Sequence, residues 1–105
     1  MTNVEERDGI AVAAQTIDAD STFSETLESR DARTITGIVD KSSSYDIDLV
    51  WLDNSGNEIT TESVASGVSG QTEFSEDWHS PKQCRFEVTD NSSTQEDAGI
   101  SVFLT

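Results

Sequence analysis

His79 is the single histidine of the chain and sits in the segment Glu76-Asp77-Trp78-His79-Ser80-Pro81. With Asp77 and the hydroxyls of Ser75 and Ser80 close by in sequence, the three residue types of a nucleophilic triad are present. A triad is a geometry, with the base in hydrogen-bond reach of the nucleophile, and neighbours along one loop do not supply it. The strained G-x-S-x-G turn that exposes a nucleophilic serine is missing from the sequence. The chain is therefore expected not to be an enzyme. Trp78 and His79 stand instead as candidates for contact with a ligand or receptor. An indole on a loop can stack on a sugar ring, or its apolar body can plug one end of a β-sandwich.

Metal chemistry is similarly bounded. Structural zinc needs four nitrogen or sulfur ligands, and the chain has one His and one Cys, Cys84. Calcium takes carboxylate and carbonyl oxygens. Asp18 and Asp20 in "DAD", and Asp53 and Asn57 in "DNSGNE", offer them. Asp53, Ser55 and Asn57 fall on alternate positions, as at the start of a calcium loop, but Gly56 is misplaced and the distal bidentate glutamate has no counterpart. The same residues suit a hairpin turn, so calcium is the one cofactor considered, and only at these four positions. Carboxylate pairs for glycoside hydrolysis cannot be singled out among 21 acids. Asn91-Ser92-Ser93 matches a glycosylation acceptor pattern; with no export signal in view it is set aside.

Around these residues lies a chain of 105 residues, the size of one small domain with a modest core. Six basic residues face 21 acidic ones, a formal net charge of -15. Arg7, Arg30, Arg33, Lys41, Lys82 and Arg85 are scattered among acids. Binding to phosphates needs clustered bases, so nucleic acid is excluded as a direct partner. An anionic membrane surface is excluded for the same reason. A single cysteine forms no intrachain disulfide, and its alternation with Phe86 and Val88 places Cys84 as a buried, inert thiol. The N-terminus lacks the basic region and apolar core of a secretory signal, and no apolar run approaches the length of a membrane span. The chain is expected to be made in the cytoplasm and to leave it, if at all, by lysis.

The positioning elements read as strands. Alternation and turn residues predict strands over 10–17, 22–28, 34–40, 45–53, 58–64, 71–75, 82–89 and 98–104. "KSSS" and "SGVSG" read as polar or flexible connectors, and Gly37 as a bulge. The strongest strand places Tyr45, Ile47, Leu49 and Trp51 inside and Asp46 and Asp48 outside. Val50 and Leu52 continue the outer row at the turn end. An apolar pair beside acids can mark a contact site; alternatively the same chain covers it. In "AGISVFLT", Ile100, Val102 and Leu104 share one face and Phe103 takes the other, which suits a central strand or a covered edge. Val50, Leu52 and Phe103 are the predicted subunit contacts. The expected fold class is all-β: an antiparallel β-sandwich, jelly-roll-like, of seven to eight strands. An N-terminal arm, 1–9, precedes a single domain, 10–105.

Many carboxylates, few lysines and small polar fillers resemble the surfaces of proteins from extreme halophiles. The Debye length falls to roughly 3 Å in molar salt, where repulsion among such charges largely disappears. In size, acidity and strand pattern the chain resembles the small acidic β-sandwich virion proteins of haloarchaeal tailed viruses; the resemblance is compositional and covers the whole chain. It implies a structural subunit of a virion, such as a capsid decoration, turret or tail component. Its partners would be other virion proteins or further copies of itself in a symmetric assembly, with the arm reaching onto a neighbour. The alternative is a carbohydrate- or receptor-binding module on a virion or on a haloarchaeal cell surface, using loops at one end of the sandwich.

Overall fold

The computed structural model describes residues 9–18, 21–28, 33–78, 83–92 and 95–104. Among them are six strands and no helix: β1 Gly9–Ile17, β2 Thr22–Glu28, β3 Thr34–Leu52, β4 Glu58–Asp77, β5 Gln83–Asp90 and β6 Glu96–Leu104. Every pairing is antiparallel. Five strands follow the order β1-β6-β3-β5-β2, and β4 branches off to pair with β3.

β3 organises the fold because it serves two layers. Ile35 to Asp40 pairs with Leu104 to Gly99 of β6, whereas Tyr45 to Leu52 pairs with Asp90 to Gln83 of β5. β4 accompanies β3 along its other side for its whole length. One layer therefore contains β1, β6, the first half of β3 and the second half of β4. The other contains β2, β5 and the remaining halves. The body measures 36 × 31 × 20 Å, and the short axis accommodates two sheets stacked about 10 Å apart.

Alternation fills the space between them. Ile35 and Val39 from the first layer, and Tyr45, Ile47, Leu49, Trp51, Cys84, Phe86 and Val88 from the second, are buried in one cluster with Ile100 and Val102. Phe74 of the first layer stacks on Phe86 of the second, ring centroids 6.0 Å apart. Antiparallel sandwiches show this inward apolar, outward polar rhythm because each sheet has one dry face.

The strand count is lower than the seven to eight expected because two supposed connectors are strand. "KSSS" lies within β3, and "SGVSG" lies within β4. The sequence signal for a break was real, but it marks a corner. The β3–β4 register runs evenly from Thr34↔Asp77 to Lys41↔Gly70 and then shifts three times between Lys41 and Asp48. Gly67 and Gly70 adopt φ of 63° and 76° there, a region that costs glycine little. Register shifts bend a strand and increase its twist, which carries the chain from one layer to the other.

The corner is held from inside. Lys41 and Asp90 are both buried, with Nζ 2.5 Å from Oδ1. Lys41 also donates to the Ser43 hydroxyl at 2.6 Å, and Ser92 donates to Asp90 at 2.8 Å. Tyr45 reaches back across the bend: its hydroxyl lies 2.7 Å from the Gly70 carbonyl oxygen, to which it donates, and 2.7 Å from the Thr72 hydroxyl. The Asp90 N–H donates to Ser21, tying the start of β2 to the same corner.

Two further expectations change. Gly37 is not a bulge, since the register on both of its flanks is continuous. A Cβ there would lie 2.5 Å from Cε1 and 2.6 Å from Cζ of Phe74. The glycine makes room for the ring that bridges the layers. The arm boundary also moves, because Gly9 already pairs with Phe103 in β1; residues 1–8 lie outside the described residues.

Two stability predictions follow from this packing. Gly37→Ala should cost about 1–3 kcal/mol through overpacking, and adding Phe74→Leu to it should recover part of that loss. Lys41→Met should cost about 3–5 kcal/mol by leaving Asp90 buried without its cation, whereas Lys41→Met with Asp90→Leu should lie within about 1–2 kcal/mol of the parent. Denaturant unfolding in molar KCl measures both series.

Candidate contact faces

The sandwich presents two broad outer faces, both of which bear acids. On the β2–β5–β3–β4 layer, β3 contributes Asp46 and Asp48 and β5 contributes Arg85 and Glu87, with Asp48 opposite Glu87 and Val50 opposite Arg85. Arg85 lies on β5 and Glu58 on β4, with β3 between them. Arg85 Nη2 nevertheless reaches Glu58 at 2.6 Å, while its Nε holds Glu87 at 2.7 Å. The ion pair therefore spans the outer row of β3, where Val50 and Leu52 lie. Each of these is 3% exposed. A long basic side chain can cover apolar surface with its methylenes while its charged head stays among acids.

The predicted contact role of Val50 and Leu52 thus loses its premise. They are outward in register but closed over by their own chain. Nothing in the alternation could reveal an arginine strap supplied by a strand that is distant in sequence.

The acids on this face crowd one another. The Asp48 carboxyl is raised above its ordinary value by burial first, then by the charges of Asp46 and Glu87. Asp46 is braced, accepting from the Gly67 N–H and the Asn91 side-chain amide, each at 2.7 Å.

The outer face of the β1–β6–β3–β4 layer differs. Register sets Thr36 opposite Phe103 and Ser75, and Ile38 opposite Ser101 and Glu73. Ile38 and Phe103 are each 40% exposed, and the Thr36 and Ser75 hydroxyls lie 3.3 Å apart. Acids share these rows: Glu73 lies directly opposite Ile38, Asp40 follows Ile38 on β3, and the exposed Asp77 and Asp97 continue the rows of Ser75 and Ser101. β6 is central in hydrogen bonding, as its two apolar faces suggested, yet its outer face is open at Phe103. Pairing satisfies a strand's backbone without covering its faces. Of the predicted contacts, Phe103 is accessible. Ile38 joins it, a residue to which the sequence analysis gave no role.

The remaining candidates are placed as follows. Trp78 directly follows β4 and packs edge-on against Trp51, centroids 5.3 Å apart. It is half-buried against the core. Its partner Trp51 donates to Glu62 at 3.2 Å. His79 and Asp20 lie outside the described residues. The Asp53 carboxylate accepts from the backbone N–H groups of Ser55 (2.8 Å) and Asn57 (2.9 Å) and from the Asn57 side-chain amide (3.3 Å). These bonds, led by the Asn57 N–H, lower its pKa and close the hairpin turn. The hairpin reading accounts for both residues. Asp18 accepts from the Gln95 amide. Among the described residues no group of three or more His, Cys, Asp or Glu side chains could hold a metal ion. Cys84 is buried, with its thiol pushed up to about 12 by burial and by the nearby Glu62 charge, so it is not a thiolate nucleophile at neutral pH. Among the described residues no helix is long and apolar enough to cross a membrane.

Two antiparallel layers joined at a corner of one long hairpin define an all-β sandwich of the jelly-roll-like kind found in viral proteins. No known protein family matches the sequence, and no curated protein matches it either. Among solved structures the fold is similar to the capsid protein VP2 of infectious bursal disease virus in its subviral particle, at 14% identity and a TM-score of 0.56, covering 91% of this chain and 30% of VP2. The T13 particle of the same virus gives 11% identity and a TM-score of 0.56, covering 88% of this chain and 28% of that one. A family 29 carbohydrate-binding module, CBM29_1 from Piromyces equi, is similar at 15% identity and a TM-score of 0.51, covering 93% of this chain and 79% of the module. The chain thus spans about a third or less of the VP2 chains it resembles. At these identities the likeness shows the fold.

The raised Asp48 carboxyl predicts a pH dependence. A folded-state pKa above the ordinary 3.8 means that the native chain binds the proton more tightly than the unfolded chain does, so this group's contribution to stability falls as pH rises from 3.8 through the raised value. Asp48→Asn should therefore unfold at higher denaturant than the parent at pH 7. The difference should shrink on acidification through that window and also in molar KCl, which screens Asp46 and Glu87. Unfolding midpoints across pH and salt measure it; an equal gain at every pH would refute the assignment.

Proposed function

We propose that this protein is a structural subunit of a virion, a capsid decoration, turret or tail component, that works through protein–protein contacts in concentrated brine and catalyses nothing. The observation that carries the reading is the open hydrocarbon of Ile38 and Phe103, each 40% exposed on one outer face of a body of net charge -15. On so acidic a surface, neighbouring open hydrocarbons mark an interaction site; Ile59 on β4, 58% exposed, is open as well. The likeness of the sandwich to VP2, a protein of subviral and viral particles, supports an assembly role. The acid coat supports the brine: the like charges repel at low salt and are screened at high salt.

Likeness to a carbohydrate-binding module favours a second reading, recognition of a glycan by one end of the sandwich. In that reading Trp78 and His79 are the contacts. Against it, Trp78 is already engaged edge-on by Trp51 and half-buried.

Mass spectrometry and antibody labelling of purified particles from the virus that encodes the chain test the first reading. The expected result is a fixed stoichiometry at symmetric positions on the particle. A chain absent from purified particles, but shifting its tryptophan fluorescence with a glycan from an array, would replace the first reading with the second. The brine component predicts that the unfolding midpoint rises steeply as KCl goes from about 0.1 to 1 M, the range over which the Debye length falls from about 10 to 3 Å; a flat profile removes it.

A further inference from the structure

We infer that the free edge of β4, from Gly70 to Asp77, accepts an extended, arginine-bearing segment of a partner protein as an added strand, with an arginine of that segment seated between Ile38 and Glu73. The inference names the kind of partner behind the proposed virion role and rests on that reading for its purpose, while its structural grounds are separate.

The edge comes from the topology. Among the described residues β4 pairs with β3 alone, so no strand takes up the backbone N–H and C=O groups on its other side. The register shifts of the β3–β4 ladder all fall between Glu58 and Gly70, and such irregularities discourage pairing at an edge. From Lys41↔Gly70 to Thr34↔Asp77 the ladder is even. That leg is a regular template. Extended chains add to such edges through main-chain hydrogen bonds, and their alternate side chains give specificity.

Charge selects the occupant. The outward row of this leg is Gln71, Glu73, Ser75 and Asp77, all exposed, and Asp40 of β3 stands opposite Gln71. None of the strand residues in the outer rows of this layer is Lys or Arg. The other layer shows what a base does in such a setting. Arg85 of β5 reaches past β3 to Glu58 of β4, and Val50 and Leu52 in the row between are each 3% exposed. Here Ile38 lies directly opposite Glu73 with no base on its layer, and it is 40% exposed, as is Phe103. An arginine from an added strand supplies on this face what Arg85 supplies on the other. A second copy is disfavoured because it brings the same acids to the edge. A two-fold at Ser75, for example, sets Glu73 opposite the other copy's Asp77, and like charges set opposite destabilise a ladder.

The space for that arginine is present. Thr36, Gly37, Ile38, Glu73, Phe74 and Ser75 line a groove of about 350 Å³ between the rows of β3 and β4. An added strand lies about 4.8 Å beyond β4, so its side chain crosses one row to reach the groove, as Arg85 does on the other layer. Its methylenes then lie on Ile38, and its guanidinium meets the Glu73 carboxylate, whose Oε2 also accepts from the Gln71 amide at 3.2 Å. Arginine suits the place better than lysine. Its planar fork bonds a carboxylate through two N–H groups and is more weakly hydrated.

A synthetic peptide of about seven residues, matched to the even leg, tests the inference against the full chain. It alternates threonine with arginine and is blocked at both ends. The solvent is about 1 M KCl, where long-range attraction to the acid coat is screened. Fluorescence anisotropy measures binding, and hydrogen exchange locates it. The expected result is saturable binding that slows exchange of the alternate β4 amides between Gly70 and Asp77 and leaves those of β2 unchanged. Glu73→Gln and Ile38→Ser should each weaken binding at least about fivefold. Asp48→Asn removes one charge from the other face and should change it by less than about twofold. A peptide with glutamate in place of arginine should not bind. One with a central proline, which lacks the N–H that a ladder needs, should bind at least about fivefold more weakly. Circular dichroism checks that every variant is folded. No saturable binding of the arginine peptide overturns the inference, as does equal weakening by Glu73→Gln and Asp48→Asn, or protection that falls outside β4. Protection of the same amides by self-association, seen by sedimentation without peptide, assigns the edge to a second copy and overturns it too. An overturned inference leaves the virion reading standing if the chain is found in particles. If every expectation is met and the chain is absent from particles, only the virion reading falls.

Discussion

The contact between Lys41 and Asp90 governs how the rest of the chain is arranged. Both side chains are buried, and they meet where β3 leaves one layer for the other. Desolvating two ions is costly, and such a pair rarely adds net stability over a well-packed apolar substitute. What it adds here is position. Asp90 closes β5 opposite Tyr45, and Lys41 ends the regular β3–β4 register. Their meeting fixes the residue at which the long hairpin turns. With Ser43, Ser92 and the Tyr45 hydroxyl, the pair supplies the corner with hydrogen-bond partners that apolar residues would lack.

Outside this corner both layers turn acids outward, and they differ in how hydrocarbon is treated. One outer face bears acids held by Arg85 and by amides; the other bears two open apolar side chains, Ile38 and Phe103, among hydroxyls and the acids Asp40, Glu73, Asp77 and Asp97. The acidic face manages its own repulsion, using Arg85 to bridge Glu58 and Glu87 while closing over Val50 and Leu52. Such a bridge is partly exposed and contributes little energy of its own. Its effect is to convert an apolar pair into covered surface. Both jobs fall to one arginine in a chain with six basic residues.

How much of this was legible in the sequence depends on the range of the interaction. Period-two patterns are local, and they assigned Tyr45, Ile47, Leu49, Trp51, Cys84, Phe86 and Val88 to the interior correctly. Connectors were misjudged where local composition and global path disagree. "KSSS" and "SGVSG" look like loops because small polar residues and glycines do favour bends, but here the bend occurs with the ladder still formed. Gly37 resembled a bulge because a glycine in a strand usually means one; the ring that needs its space comes from Phe74, 37 residues later. The fate of Val50 and Leu52 hinged on Arg85, and that of Lys41 on Asp90, pairings that only the tertiary path creates. A lysine in a chain nearly stripped of lysine was the one available hint. The contact faces were half visible: Phe103 stood out by alternation, whereas Ile38 gained meaning only when register set its row beside that of Phe103.

Because β3 and β4 run through both layers, neither layer is a separable unit. Opening the hairpin at one end peels backbone from two sheets in succession, and the outer strands β1 and β2 hang on partners, β6 and β5, that are themselves anchored to β3. Amide protons along β3 should thus exchange together and last, while those of the peripheral strands escape earlier by fraying. A shell built from such blocks would bear load through a single continuous ribbon, so that tension applied to one sheet is shared by the other before either gives way.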